Sequence, residues 1–280
     1  MSAIQAEIPY LDTSLDRIEV SFESRSFDHA IQQKRLAVRD GRTAQPTLSL
    51  QREGFQIAVS PSAVVRERRA ELIQENSKPR EDLAPVNAAY MDELVSLIER
   101  LSAAREVFAQ YDTITVRFSE RARERSWMST AAFAHIDFQR ADVERIFRQT
   151  LELTGRSVRP FTRYVVFQTW RVITPPPQDR PLALCDARTI SAEELVDMDF
   201  HGPKGSRNEL VRSLASRHGA RHEWYFFPDM TPDEVLIFKG FDSSAAGGAW
   251  TPLHTAFDHP DAERAEPRGS VECRFFALYD

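Results

Sequence analysis

The chain has 280 residues, of which 42% are hydrophobic, and its formal net charge is −6 at pH 7. This length and hydrophobic content allow one large core. The modest acidic charge, with Lys and Arg dispersed along the chain, argues against a nucleic-acid-binding protein. No apolar run reaches the roughly 18 residues of a membrane span, and the acidic N-terminus does not resemble a signal peptide. We therefore expect a soluble, cytoplasmic protein with neither nucleic-acid nor membrane partners.

The two cysteines of the chain, Cys185 and Cys273, each lie in an apolar run that is typical of a strand. They are predicted to be reduced thiols of the core, as is usual in a cytoplasmic protein. No CxxC pair or Cys/His ladder indicates structural zinc.

Residues 1–110 are predicted to contain short strands and helices. The alternating segment Ile18–Phe22 predicts a strand, and Thr47–Leu50 with Phe55–Val59 predicts a hairpin. The charged composition of residues 60–80 favours a solvated helix rather than a phosphate site.

A longer helix is predicted from Pro85, where apolar side chains recur at helical spacing, to the neighbourhood of Ala109–Gln110. The alternating segment Thr113–Phe118 predicts a strand, followed by a polar loop over residues 119–129. A shorter helix is expected from about Ala141 to Leu153.

Strand patterns dominate after Gly155. Residues 201–220 are polar and rich in Gly, Arg and Ser, which favours a mobile loop or lid, and the Gly/Ser-rich residues 242–248 favour a flexible loop. The strand predictions are Arg163–Ile173, Pro181–Asp186, His222–Pro228, Glu234–Phe241, Thr251–Phe257 and Ser270–Tyr279.

The order of these elements predicts an α+β, β-rich fold in a single domain over residues 1–280. Within it, residues 1–110 are expected to support a core formed by residues 111–280 that carries the functional site.

A candidate metal site begins with His135 and Asp137, which lie two residues apart in an apolar segment. On a strand, side chains at i and i+2 point to the same face, so the imidazole and the carboxylate can converge on one ion. Two histidines and one carboxylate are the usual ligand set of non-haem iron oxygenases. The alternative for the isolated pair is a buried hydrogen bond within the core.

His254 is the best candidate for the second histidine, because it lies among apolar and hydroxyl residues in Trp250–Asp258. The other histidines are predicted to be solvated or to lie at strand edges and turns. A single histidine in such a segment is more often a hydrogen-bonded core residue than a ligand, so the assignment depends on the residues C-terminal to it.

The next polar segment, Arg268-Gly269-Ser270, is suited to hold a carboxylate. A guanidinium binds a carboxylate through two parallel hydrogen bonds, and the hydroxyl at i+2 adds a third from the same face. His135, Asp137 and His254 would then hold iron(II), while Arg268 and Ser270 hold the distal carboxylate of a 2-oxo acid. Arg274 is an alternative to Arg268 for this carboxylate.

Two other classes of function fit parts of this pattern. A cupin-like hydrolase or isomerase would use the same ligands for zinc or another metal and would need no 2-oxo acid. A non-catalytic protein could bind a partner or metabolite on the same scaffold. The presence of Arg268 and Ser270 argues against the first, and the complete ligand set argues against the second.

Several segments of the second half resemble one family. They are HIDF at 135–138, WR at 170–171, PLALCDART at 181–189, WYFFPDMTPDEVLIFKGFDS at 224–243, TPLHTAFDHP at 251–260 and PRGSVECR at 267–274. They are similar to the bacterial and fungal iron(II)/2-oxoglutarate oxygenases that include a cephamycin methoxylation protein, an endoperoxide-forming enzyme and gibberellin desaturase-like proteins. The resemblance covers roughly residues 130–280 and leaves residues 1–110 unassigned.

The resemblance implies a double-stranded β-helix (jelly-roll) core with flanking helices. It also implies iron(II) bound by His135, Asp137 and His254, and 2-oxoglutarate bound by Arg268 and Ser270. With dioxygen, such an enzyme hydroxylates, desaturates or cyclises a small molecule of secondary metabolism and releases succinate and CO2. Oligomeric state is left open, with a homodimer among the options.

The sequence departs from the family pattern at two positions. Phe138 stands where a tyrosine is expected after the HxD motif, and Gln168-Thr169 stands where an asparagine is expected before Trp170-Arg171. Neither departure affects the metal ligands, and both bear on the substrate side of the site.

Overall fold

The computed structural model describes residues 2–21, 31–77, 83–111, 114–122, 133–202, 210–244 and 251–280. The strands form two β-sheets. The strands are β1 (Ala3–Leu11), β2 (Arg17–Ser21), β3 (Ile31–Asp40), β4 (Phe55–Val59), β5 (Glu106–Ala109), β6 (Thr115–Phe118), β7 (His135–Ile136), β8 (Arg163–Val172), β9 (Leu182–Cys185), β10 (Leu195–His201), β11 (Leu210–Ser216), β12 (Trp224–Phe226), β13 (Glu234–Asp242), β14 (His254–Ala256) and β15 (Gly269–Tyr279).

The first sheet has nine strands in the order β1-β3-β12-β9-β14-β7-β11-β10-β2. This sheet curls, so that its edge strand β1 comes close to β7. The amide of Ala134, just before β7, donates to the carbonyl of Pro9 in β1 over 2.8 Å. The second sheet has six strands, β4-β13-β8-β15-β5 with β6 also paired to β15. Strands from residues 1–110 therefore take part in both sheets.

The interior of the sandwich lies between the two sheets. Trp170 of β8 and Leu236 of β13 pack there against Leu184 of β9 and Tyr225 of β12. Burying each such large apolar side chain stabilises the fold by about 1.5–3 kcal/mol. The two sheets are consequently fixed face to face, and the ends of this interior are where a ligand can enter.

The α-helices are α1 (Ala63–Glu67), α2 (Arg69–Glu75), α3 (Pro85–Ser102) and α4 (Arg140–Thr154). Helix α3 covers the outer face of the second sheet, where its Leu94 and Ile98 join a cluster with Phe167 and Phe275. Helix α4 packs its Phe147 against Phe276 of β15, with a ring-centroid distance of 5.0 Å. The α1, α2 and α4 helices agree with the sequence prediction.

The predicted C-terminal end of α3 is wrong. Proline at the first helical position suits the observed start, but Ala103 adopts a left-handed conformation with φ 54° and ends the helix. Val107, which fits the helical spacing, lies instead in β5 and pairs with Ala277 of β15. The apolar pattern continued across the boundary because both elements face the same core.

The predicted hairpin of Thr47–Leu50 with Phe55–Val59 is also wrong. Residues 47–50 form no strand, since the Ser49 carbonyl accepts hydrogen bonds from the amides of Glu53 and Gly54 in a tight turn. Strand β4 pairs with β13 of the second sheet instead, with Phe55 opposite Phe238. An alternating pattern specifies a strand but not its partner.

The prediction of a loop over residues 201–220 is wrong for residues 210–216, which form β11 between β10 and β7. Its burial does not follow polarity, because Ser213, Ala215 and Ser216 are buried while Leu210, Val211 and Leu214 are only half-buried. Residues 203–209, 123–132 and 245–250, where the remaining predicted loops fall, lie outside the described residues.

Both cysteines are free and buried, as predicted. Burial raises the pKa of the Cys185 thiol to about 12, so the thiol stays protonated at neutral pH. Within the described ranges, no helix is both long and apolar enough to cross a membrane.

Candidate metal and oxo-acid site

Two neighbouring strands bring the two predicted histidine ligands together. His135 of β7 lies directly opposite His254 of β14 in the antiparallel pair, and their ring centroids are 4.2 Å apart. Strand β7 has only two residues, so Asp137 follows it at once. The carboxylate therefore leaves the sheet at the point where both imidazoles face the interior.

The three side chains form a compact donor set. His135 Nε2 lies 3.2 Å and His254 Nε2 lies 3.8 Å from Asp137 Oδ1. One ligand atom from each residue fits within 4.8 Å of the others, and within the described part of the chain these residues form the one group of this kind. Two imidazoles and one carboxylate on one side of a cavity suit a non-haem iron(II) centre with open positions.

The environment of each ligand prepares it for a metal. The Nδ1 atom of His135 lies 2.8 Å from the Phe133 carbonyl, to which it donates, so the lone pair is on Nε2. Burial lowers the pKa of His254 to about 3, with a further contribution from His135, so this imidazole is neutral. Among the residues that the structure describes, His254 Nδ1 is buried without a hydrogen-bond partner.

Asp137 is ionised. Burial alone would raise its pKa, but the charge of Arg274 and the contacts to His135 and His254 hold it well below the ordinary value. The donor set thus contains a neutral His254 imidazole and an ionised Asp137 carboxylate beside His135, which suits a divalent metal. The residues present fit iron(II).

A cavity lies between this donor set and the second sheet. Its apolar lining comes from Trp170, Leu182 and Ala256, and its polar lining from Arg117, His135, Asp137, His254, Arg268, Glu272 and Arg274.

Arg268 is a buried cation of this cavity that has no carboxylate partner for its guanidinium among the described residues. The residue is 1% exposed, its Nη1 donates to the Arg180 carbonyl over 2.9 Å, and its Nε has no partner there. Its guanidinium lies 5.6 Å from the centre of the Trp170 ring. Burial, together with the charges of Arg180 and Arg117, lowers its pKa to about 9. A buried guanidinium of this kind is strongly stabilised by an incoming carboxylate.

The backbone of Arg268 is fixed by Asp179. The Asp179 carboxylate accepts the amide of Arg268 over 2.7 Å and the hydroxyl of Ser119 over 2.9 Å, and it is 1% exposed. Asp179 therefore satisfies the backbone and leaves the guanidinium free to face the cavity.

Ser270 is buried and lies on the same face of β15 as Arg268, Glu272 and Arg274, because side chains alternate along a strand. The second sheet sets it opposite Arg117 of β6 and Val172 of β8. Among the described residues, those that line the cavity include Arg268 but not Ser270.

Arg274, unlike Arg268, already has carboxylate partners. Its Nη2 donates to Asp137 Oδ2 over 2.5 Å, and Glu272 lies 3.9 Å away. Glu272 itself accepts from Arg117, with Nε at 2.9 Å and Nη2 at 2.8 Å. Sequence reasoning missed Glu272 and Arg117, although the alternation from Arg268 along β15 places Glu272 on the cavity face.

Two further arginines, Arg163 and Arg171, have structural roles. Arg163 forms a two-point contact with Asp242, with Nε at 2.9 Å and Nη2 at 2.5 Å. Arg171 donates to the Tyr90 hydroxyl and to the carbonyls of Ser60 and Pro232 on the outer face of the second sheet.

The remaining histidines that the structure describes lie away from this cavity. His222 bonds to Tyr10 and Glu194, whereas His201, His218 and His259 do not line the cavity. His29 lies outside the described residues. Trp170 lines the cavity, whereas Trp224 belongs to the core of the first sheet.

Comparison with protein families gives a match over almost the whole chain. Residues 9–278 match the model of the family described as the oxidoreductase/YMDC permease-like domain. The chain belongs to this family.

Relatives of this family member carry informative names. It is 24% identical over 267 residues to the hydroxylase/desaturase efuI of Hormonema carpetanum, covering 88% of this chain and 83% of that protein. It is 26% identical to the Fe(II)/2-oxoglutarate-dependent dioxygenase nvfI of Aspergillus novofumigatus, covering 84% and 80%. With the hydroxylase/desaturase CTB9 of Cercospora beticola the identity is 31%, but the match spans only 47% of that protein.

A solved structure shows the same fold. A variant of the iron and alpha-ketoglutarate-dependent endoperoxidase NvfI superposes with a TM-score of 0.79 at 20% identity, covering 99% of this chain and 98% of the other. The predicted jelly-roll fold is confirmed by this likeness. The predicted resemblance to iron(II)/2-oxoglutarate oxygenases, and with it the enzyme class, is confirmed by the named relatives.

Proposed function

We propose that this protein is an iron(II)/2-oxoglutarate-dependent dioxygenase that oxidises a small molecule of secondary metabolism. His135, Asp137 and His254 hold the iron, and Arg268, assisted by Ser270, holds the distal carboxylate of 2-oxoglutarate. The observation that carries the proposal is the placement of this triad across one cavity from a buried guanidinium that has no carboxylate partner among the described residues.

Bound iron(II) with 2-oxoglutarate supplies the chemistry, namely activation of dioxygen for oxidation of a C–H bond with release of succinate and CO2. The residues of the chain orient and protect it. The Phe133 carbonyl fixes the tautomer of His135, and the buried Trp170 and Leu182 exclude water from the space beside the donors.

Arg268 is better suited than Arg274 to bind the 2-oxo acid. Both lie in the cavity wall, but Arg274 is already paired with Asp137, whereas the guanidinium of Arg268 donates to a carbonyl. A dicarboxylate bound to the metal at one end would supply, with its other carboxylate, a counterion for the guanidinium of Arg268. Ser270 lies on the same strand face, from which its hydroxyl can support that carboxylate.

The same site permits hydroxylation, desaturation or oxidative cyclisation, since all three begin with removal of a hydrogen from the substrate. Relatives are named hydroxylase/desaturase and endoperoxidase, which supports this range. We also propose that the chain acts as one catalytic domain, because residues 1–110 contribute strands to both sheets around the cavity. A cytoplasmic location and a homodimer stay predictions.

The test is iron-dependent turnover of 2-oxoglutarate. The protein, loaded with iron(II) under anaerobic conditions and then exposed to dioxygen, is expected to convert 2-oxoglutarate to succinate even without substrate, at a slow uncoupled rate. H135A is expected to abolish succinate formation. H201A is the matched control, because His201 is a half-exposed histidine of the same sheet away from the cavity. Retained succinate formation in H135A would contradict the proposal.

A further inference from the structure

We propose that Arg274 is a positioning residue for the metal, which holds the Asp137 carboxylate so that one oxygen faces the two histidines and the other faces away. This inference rests on the proposed function, because it assigns His135, Asp137 and His254 to a metal.

The contacts of Asp137 divide its two oxygens between separate partners. Oδ1 lies 3.2 Å from His135 Nε2 and 3.8 Å from His254 Nε2. Oδ2 accepts from Arg274 Nη2 over 2.5 Å. A carboxylate whose second oxygen is bound to a guanidinium presents a single oxygen to a metal.

This division matters for the number of open metal positions. A site that takes up an oxo acid and dioxygen needs a triad that fills three positions and leaves the rest free. An Asp137 carboxylate that chelated through both oxygens would occupy a further position. Arg274 prevents this by occupying Oδ2.

Arg274 is itself held in place from several sides. Its guanidinium lies 5.8 Å from the centre of the Phe138 ring and 3.9 Å from Glu272, which Arg117 fixes in turn. In β15 it pairs with Gln168 of β8. The side chain is thus restrained by neighbours from three segments before any metal arrives.

Gly240 makes room for Phe138 in this arrangement. A Cβ atom at Gly240 would lie 3.0 Å from the Phe138 ring and 3.1 Å from Gln168 Nε2. The pairing of β13 with β8 shifts register between Lys239 and Phe241, so the bulge falls at this glycine. The bulge therefore supports Phe138, and Phe138 supports Arg274.

If Arg274 positions Asp137, its removal should weaken metal binding, whereas if Arg274 acts only through its charge, its removal should strengthen metal binding. A nearby positive charge repels a divalent cation, so its removal would by charge alone tighten metal binding. Loss of a residue that orients a ligand instead weakens metal binding, typically by about 10–100-fold. The sign of the change distinguishes the two.

The experiment is anaerobic titration of the metal-free protein with Co(II), followed by its visible ligand-field absorption. R274Q is expected to bind Co(II) about 10–100-fold more weakly than the wild type and to show an altered spectrum, because Asp137 can rotate. R42Q is the matched control, since Arg42 also binds a carboxylate, that of Glu234, but does not line the cavity. It is expected to retain wild-type affinity and spectrum.

Equal or tighter Co(II) binding by R274Q, with the wild-type spectrum, would overturn the proposal. If R274Q fails to fold, R274K replaces it, because lysine keeps the positive charge but lacks the planar guanidinium. Weaker Co(II) binding by R274K supports the positioning role, and wild-type Co(II) affinity overturns it. The proposed function itself has a separate test in the same titration. If the wild type binds no Co(II), or if H135A binds it as tightly as the wild type, the proposed function is refuted.

Discussion

At the scale of single residues, the buried charge of Arg268 is the feature that most directly supports the proposed 2-oxoglutarate site. A fully buried guanidinium with a carbonyl as acceptor is a costly arrangement in a protein without a ligand. Arg268 lines the same cavity as the three proposed metal ligands. Under the proposed function, the carboxylate of 2-oxoglutarate offsets this cost.

Replacement of Arg268 tests this interpretation. R268Q is expected to raise the Kd of 2-oxoglutarate about 10–100-fold, because hydrogen bonds to a charged group contribute about 1.5–3 kcal/mol. The measurement is calorimetric titration of the Co(II)-loaded protein with 2-oxoglutarate.

R274Q serves as the comparison at saturating Co(II), where we expect an unchanged Kd for 2-oxoglutarate. A larger loss of affinity in R274Q than in R268Q would assign the carboxylate to Arg274 instead.

At the scale of elements, the bulge of β13 is a fixed part of the site. Gly240 allows the Phe138 ring to lie close to the strand backbone. G240A is expected to lower the free energy of unfolding by about 1–3 kcal/mol, since the new methyl group forces Phe138 or Gln168 to move. Urea unfolding measures this. A256G in β14 is the comparison, because it removes a methyl group where G240A adds one. An unchanged stability in G240A would show that Phe138 is not tightly constrained.

Elements with a strong periodic pattern could be predicted from the sequence, whereas the end of α3 and strand β11 could not. Strands β8, β13 and β15 were predicted within a residue or two because long alternating runs are specific. The end of α3 was not predicted, since α3 and β5 bury apolar side chains in the same core. Nor could strand β11 be predicted, because it buries two serines and leaves most of its apolar side chains half-buried, so no apolar alternation marks it.

The grouping of His135, Asp137 and His254 could be predicted because the spacing of these residue types carries chemical information, whereas the contacts around them could not. His135, Asp137 and His254 stand out as residue types in a pattern, and the structure brings them together. The pairing of Arg274 with Asp137 depends on how β15 of one sheet faces β7 of the other. That relation between sheets is not encoded in any local pattern.

At the scale of the whole molecule, a buried histidine network closes the curl of the first sheet. The Trp224 indole donates to the Tyr10 hydroxyl over 2.6 Å, and that hydroxyl lies 2.9 Å from His222 Nδ1. His222 Nε2 lies 2.9 Å from Glu194. This chain of bonds joins β1, β12 and the segment before β10, and a neutral His222 with its proton on Nε2 satisfies every member of it.

The network makes stability depend on pH. Burial lowers the pKa of His222 below its ordinary 6.5, with Glu194 opposing this and His218 and Arg221 adding to it. The unfolded chain therefore takes up the proton first. The contribution to stability is complete above the unfolded pKa and is lost as the pH falls through and below it.

Thermal unfolding of the metal-free protein checks this dependence. We expect the Tm to fall between about pH 7 and pH 5, and to fall less in H222Q, which cannot be protonated. His254 contributes to the fall in the same direction, and H254Q measures its share. An equal slope in H222Q and the wild type would exclude His222 as a source of the pH dependence.

The most direct test of the proposed site is a crystal structure of the protein grown anaerobically with iron(II) and 2-oxoglutarate, with anomalous data collected at the iron edge. We predict one anomalous peak bound by His135, Asp137 and His254, with the distal carboxylate of 2-oxoglutarate against Arg268. A peak at any other position, or a carboxylate bound by Arg274 with Asp137 displaced, would contradict it.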